Sequence, residues 1–234
     1  MRNSFLISMV VAFALPLAAQ AGEQDMRRTI SVSGQGSVDR APDMAVVRLG
    51  VTHRAEEATA ALRKTSGAVT AMFERLSGLG VEARDVQTSS LSLGPVWEKP
   101  KDGGPRVQAG FEASNTITVR LRDMEIVGAA LDALVADGAN RLNNIRFALQ
   151  DPQAARDEAR RRAVADAVRR AEIQAGAAGV ALGDVLSISE SGARVPQFRD
   201  TRMAMAEAAP VPVAGGEVGV SASVSMVFEL VQAE

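Results

Sequence analysis

Apolar residues recur along this chain with two periods, and the switches between them mark its elements. From Thr29 polar and apolar residues alternate through Ile30, Ser31, Val32 and Ser33, which predicts a strand; Gly34-Gln35-Gly36 then predicts a bend. After the breaker Ala41-Pro42-Asp43, a second strand over Met44 to His53 places Val47, Leu49 and Val51 on one face. From Arg54 the spacing becomes helical. Ala58, Ala61, Leu62, Val69, Met72, Phe73, Leu76 and Leu79 line one side of an amphipathic helix that Gly78 and Gly80 stop.

Period two returns over residues 86–97. After a turn at Lys99 to Pro105 it continues over Val107 to Leu121, where odd positions are apolar except Asn115. This long stretch predicts a bent antiparallel hairpin arm with a polar opposite face. Asp123 suits the cap of a short helix through Val135, and Arg141 to Leu149 reads as strand. Asp151-Pro152 opens the most charged helix, with a narrow stripe through Ala155, Ala159, Ala163, Val164, Ala167, Val168 and Ala171. Strands over Leu182 to Ser191 and Val218 to Leu230 flank an aperiodic loop, 193–217, rich in Ala, Pro, Val and Met. The order is ββαββαβαββ. Strands joined by tight turns, with helices between them, give an α+β fold of antiparallel sheets with packed helices.

The first residues bear on location. Arg2 precedes an almost unbroken apolar run, Phe5 to Leu17, and Ala19-Gln20-Ala21 follows as a small-residue cleavage site. That order predicts a signal peptide over 1–21, cleaved after Ala21, and a mature body of 22–234. The run is shorter than the ~20 apolar residues of a membrane span, and no other segment approaches that length. Export of the mature chain follows. The chain has no cysteine, so disulfides, thiolate metal sites and a lipid-modified cysteine are excluded, and an ordinary core must hold it together.

The formal charge is −2, one unit more negative once Arg2 leaves with the leader. With that balance, one Trp and no Tyr, nucleic acid is a poor partner. On the charged helix, Asp157 with Arg161, Glu158 with Arg162 and Asp166 with Arg170 are acid-first pairs four apart, a self-neutralised solvated face. Its alanine stripe leaves open a close subunit contact.

Candidate chemistry is sparse. His53 is the single histidine, and no second His or Cys exists to complete a zinc or acid–base site, so it reads as a strand-end residue at the sheet rim. Ser33-Gly34-Gln35-Gly36 lacks the Lys-Ser/Thr tail of a phosphate loop, and no serine sits in a G-x-S-x-G elbow. The neighbours Glu56-Glu57 and Asp157-Glu158 do not face a common point on a helix. Met203 and Met205 could hold copper through thioethers, but a hydrophobic loop contact suits them better without a nearby His. No catalytic, cofactor or metal residue is assigned, and no enzyme is expected.

Several pieces in order resemble one family. They are Ile30 to Gly36, Ala41-Pro42-Asp43, Gln87-Thr88-Ser89 and Gly110 to Asn115. Asp137 to Asn140, Asn143-Asn144-Ile145, Ala159 to Ala171 and Val220 to Val224 complete the set. Together they are similar to the SIMPL-domain family, named from a signalling molecule associated with a mouse Pelle-like kinase, whose bacterial members include periplasmic immunogenic proteins. The similarity runs from about residue 27 to 231 and fails over 193–216. It implies an α+β fold in two interleaved subdomains, a periplasmic location and self-association, which in some relatives gives ring-like or channel-like homo-oligomers. It also implies a part in oxidative or envelope stress, without established catalytic residues. The expected function is a self-assembling, non-enzymatic envelope protein. The alternative is a small-molecule or peptide binding module using a groove between the Val107–Leu121 arm and loop 193–217.

Overall fold

The computed structural model describes residues 28–101, 103–191 and 213–233. The elements follow in the predicted order: β1 Thr29–Arg40, β2 Met44–Ala55, α1 Ala58–Gly78, β3 Val86–Glu98, β4 Val107–Leu121, α2 Val127–Ala136, β5 Arg141–Ala148, α3 Gln153–Ala177, β6 Val180–Ser191 and β7 Val218–Gln232. They build two antiparallel sheets, one of three strands in the order β1-β7-β6 and one of four in the order β3-β4-β2-β5. The two ends of the chain make the first sheet and its middle makes the second, so the halves interleave.

Each sheet buries one face under its own helices. Ala45, Val47, Leu49 and Val51 of β2 meet Ile117, Val119 and Leu121 of β4 beneath Val69, Met72 and Leu76 of α1 and Leu131 and Leu134 of α2. Thr65 interrupts the apolar stripe of α1 yet is fully buried, because its hydroxyl donates to the Ala113 carbonyl at 3.2 Å and straps the helix to β4. Just past the end of the helix, the φ of +80° at Gly80 lets its N–H and that of Val81 turn back to the carbonyls of Ser77 and Leu76.

The three-stranded sheet corrects two expectations. Gly34 and Gly36 make no bend; β1 runs straight through them, paired residue for residue with β7. Their role is close approach. A Cβ at Gly34 would lie 2.1 Å from the Ala163 carbonyl oxygen, and one at Gly36 equally close to that of Ala159. The alanine stripe of α3 therefore packs within the chain, directly on the strand backbone. The register is set by two repeats that nearly coincide. Four helical residues rise about 6 Å and two strand residues about 6.8 Å. Arg162, Asp166 and Arg170 thus meet Ser37, Gln35 and Ser33 in turn: the two guanidinium groups donate to the Ser37 and Ser33 carbonyls at 2.8 and 3.2 Å, and the Gln35 N–H donates to the Asp166 carboxylate at 3.0 Å. The outer edge of β1 is closed by side chains of its own helix.

Two predicted ion pairs on α3 form, Glu158 with Arg162 at 3.0 Å and Asp166 with Arg170 at 2.9 Å. Asp157 instead takes Arg160, which also reaches Glu190 on β6, and Arg161 turns to Glu158. Asp151 accepts the Gln153 N–H at 2.9 Å, but Pro152 takes the cap position and α3 begins at Gln153, one residue later than expected. The Asp123 carboxylate accepts the Glu125 N–H at 2.8 Å, but a turn follows before α2 begins at Val127. Ala21, Met203, Met205 and most of loop 193–217 lie outside the described residues. At the described end of that loop, Val213 packs on the core of the four-stranded sheet and Gly215 lies beside Pro42 and Met124.

Candidate functional site

His53 does not stand at the rim. β2 runs on to Ala55 and α1 begins at Ala58, so the histidine is half-buried on the helix-facing side, opposite Ala113. Its Nδ1 is shielded from solvent and has no hydrogen-bond partner among the described residues. Asn115, opposite Val51 and thus diagonal to His53, has its Oδ1 in the same condition. Among the described residues no carboxylate bonds His53, and no three His, Asp or Glu side chains gather as a metal site would need.

The charged groups that do converge tie the fold. Asp85, 3% exposed in a 3-10 turn at Ala83–Asp85, accepts two hydrogen bonds from Arg122 at 2.6 and 2.8 Å. Those bonds hold its carboxyl below the ordinary aspartate range, against the opposing effect of burial. Gln150 completes the cluster: its backbone N–H donates to the Asp43 carboxylate, and its side-chain amide donates to the carbonyls of Asp43 and Arg122. The start of β2 and the ends of β4 and β5 are thus pinned together. At the other end of β2, the Asn140 side chain bonds both the N–H and the carbonyl of Thr52 at 2.9 and 2.8 Å, as a paired strand residue would. Asn140 was not singled out for this role. Its sequence signals are an amide just beyond the Asp137-Gly138 stop and its place in the family-like piece Asp137 to Asn140.

The β3–β4 arm reaches past the helices. On β3, Leu91 is 60% exposed, Leu93 46% and Trp97 53%, and Val107 of β4 is also open. Leu91 and Leu93 pair with Asn115 and Ala113, so they lie on the helix-facing side, beyond what α1 covers. β6 is the second bare element, with Val185, Leu186 and Ile188 exposed because α3 sits over β1 and β7. A separate apolar cleft of about 300 Å³ opens between α2 and the start of β5, lined by Leu49, Leu131, Leu134, Val135 and Leu142. No helix among the described residues is long and apolar enough to cross a membrane.

The sequence is similar to known proteins along nearly the whole chain. A 26 kDa periplasmic immunogenic protein of Brucella melitensis is 36% identical, the similarity covering 96% of this chain and 94% of that one. The uncharacterized protein YggE of Escherichia coli K12 is 28% identical over 83% of this chain and 78% of its own length, and that of Edwardsiella ictaluri 29% identical over 85% and 82%. The family model called SIMPL, a protein of unknown function, matches residues 30–228, from the second residue of β1 to the far part of β7. Since that span takes in both sheets and all three helices of the described residues, the chain belongs to the SIMPL family.

Proposed function

We propose that this protein is an exported, non-enzymatic component of the cell envelope that assembles with copies of itself and protects against oxidative or envelope stress. The observation that carries the assembly is the bare β3–β4 arm, where Leu91, Leu93 and Trp97 stand exposed together on one strand. Burying them in a neighbour removes apolar surface worth about 25 cal/mol per Å². Bulges at Thr88/Ser90 and Val96/Trp97, with Pro95 between them, interrupt the β3 backbone, so the contact is made by side chains and not by continuous strand addition.

Export is supported by the leader pattern over 1–21 and by relatives called periplasmic. The stress-protective part rests on the family resemblance alone. A deletion strain that withstands peroxide and detergent as well as its parent removes it.

Size-exclusion chromatography with light scattering tests assembly. The expected result is a mass several times that of one chain at micromolar concentration, reduced by Leu91→Asp with Leu93→Asp. A strict monomer refutes it.

The cleft between α2 and β5 supports a second reading, a binding module for a small apolar molecule, at a place other than the groove first expected. A ligand at 100 times its dissociation constant adds about 2.7 kcal/mol of stability. A metabolite panel that leaves the melting temperature unmoved removes this reading.

A further inference from the structure

The four-stranded sheet has a second face, turned away from α1 and α2, and its chemistry differs from the rest of the molecule. Helix-facing positions on β2 are Val47, Leu49 and Val51; the alternate positions, Val46, Arg48 and Gly50, point the other way. The registers place arginines from three strands on this open side. Val46 lies between Arg120 of β4 and Arg146 of β5, Arg48 between Thr118 and Asn144, and Gly50 beside Arg141. Arg141, Arg48 and Arg120 therefore fall on one diagonal across β5, β2 and β4, with successive Cα atoms about 8 Å apart by strand spacing and rise. Arg146 flanks this line.

All four arginines are exposed, and among the described residues none of their side chains makes an ion pair or hydrogen bond. The acids nearby are already engaged. Asp85, whose ionisation Arg120 favours at longer range, is held by Arg122, and Glu112 at the far end of the face is held by Arg54 at 2.8 Å. Elsewhere the opposite holds: the arginines of α3 from Arg160 to Arg162, with Arg169 and Arg170, each have an acid. A chain of formal charge −2 thus concentrates four unneutralised guanidinium groups on one side of one sheet.

We infer that this face binds a linear chain of phosphate groups. Guanidinium forks match phosphate oxygens two at a time and stay charged at any physiological pH. A diagonal row at regular spacing suits an extended polyanion better than a single small anion. What the face lacks selects among polyanions. It carries no aromatic ring on which bases or sugars could stack. Its one apolar side chain among these rows, Val46, is half-buried and cannot enter a lipid interface. An occupant that offers charge and little else is what remains, and inorganic polyphosphate is the plain form of it.

The test uses the full chain and labelled inorganic polyphosphate, followed by fluorescence anisotropy at 50 and 200 mM salt. Saturable binding is expected at the lower salt, weakened roughly fifty-fold at the higher if four charges are neutralised on a single-stranded polyanion. Arg48→Gln, Arg120→Gln, Arg141→Gln and Arg146→Gln together should weaken binding at least tenfold at 50 mM salt with the melting temperature unchanged. Arg156→Gln, at an α3 arginine whose side chain has no ion pair among the described residues, should leave it intact. If the fourfold variant is unstable, Arg48→Gln alone must still flatten the salt dependence by nearly one charge. No binding at 50 mM salt, or binding that survives loss of the four arginines, overturns the inference. So does stronger binding to single-stranded DNA, a sulfated polysaccharide or vesicles of anionic phospholipid, since each is a different occupant.

Discussion

A methyl group added at Gly34 would lie 2.1 Å from the Ala163 carbonyl oxygen, 2.5 Å from the Ala167 nitrogen and 2.7 Å from the Ala167 Cβ. Ordinary contact begins at 3.4 Å, so α3 must withdraw from β1 by about 1.3 Å. Two of the three obstacles are helix backbone, which cannot rotate aside as a side chain would. Withdrawal lifts Ala159, Ala163, Ala167 and Ala171 from the sheet and pulls Arg162, Asp166 and Arg170 off the strand edge. Overpacking of this kind generally destabilises by about 1–3 kcal/mol, and a rigid obstacle places Gly34→Ala at or slightly above the top of that range. The narrower unfolded ensemble of alanine offsets only about 0.4–1 kcal/mol. A net loss of about 2–3 kcal/mol lowers the melting temperature by about 4–12 °C for a chain of this size. Urea and thermal melts followed by far-UV circular dichroism measure it. Gly67→Ala is the control: this glycine lies on the exposed side of α1 with nothing within 4 Å of its added Cβ, so the same change should stabilise by about 1 kcal/mol. A Gly34→Ala protein that melts at or above the wild type would refute the close-approach account of β1.

Other consequences follow from the polar ties. Asp85 is depressed below its ordinary value by Arg122, so its contribution is complete above that value and drains as pH falls through the lower folded one. The stability gap between wild type and Asp85→Asn, open at pH 7, should therefore narrow below about pH 4, and a gap that stays constant to pH 2 contradicts the pairing. Asn140→Ala removes two neutral bonds to Thr52 and should destabilise by about 1–3 kcal/mol, with faster hydrogen exchange at the Thr52 amide as the local sign. Replacing Arg162, Asp166 and Arg170 together by alanine should uncover the β1 edge and cause concentration-dependent β-rich aggregation, seen as thioflavin binding that the wild type lacks.

Periodicity carried most of the architecture because it reports burial on one face, and each sheet here has one face under helices. Val47, Leu49 and Val51 could be assigned to the core on alternation alone, and the helix stripes on spacing alone. What alternation does not carry is the identity of the partner. Gly34 and Gly36 look like breakers in isolation; they become packing residues only when a helix more than a hundred positions later lies over them. The alanine stripe had the same ambiguity, since small residues allow close approach without saying to what. The open arginine face was equally hidden. Arg48, Arg120, Arg141 and Arg146 are scattered in sequence, and only the strand order β4-β2-β5 brings them together. His53 was placed too far out because the return of α1 over β2 depends on the short Glu56-Glu57 connection, which has no periodic signal of its own.

The sheet edges show how the molecule limits what can be added to it. Two open sheets expose four edge strands, and each is handled differently. The β1 edge has its outward carbonyls at Ser33 and Ser37 and its outward N–H at Gln35 taken by α3. β3 carries Pro95 and two register shifts, β6 two shifts between Leu182 and Ser187, and β5 is short, with a shift opposite Arg48/Leu49. An unprotected edge pairs with any extended chain, so these devices suppress indiscriminate backbone pairing. They leave the side chains free. A surface that resists strand addition yet exposes Leu91, Leu93 and Trp97 can join a neighbour only where side-chain shapes match, which favours one defined contact over open-ended stacking. The arginine face lies on the opposite side of the same sheet from Leu91 and Leu93, so occupying one does not block the other.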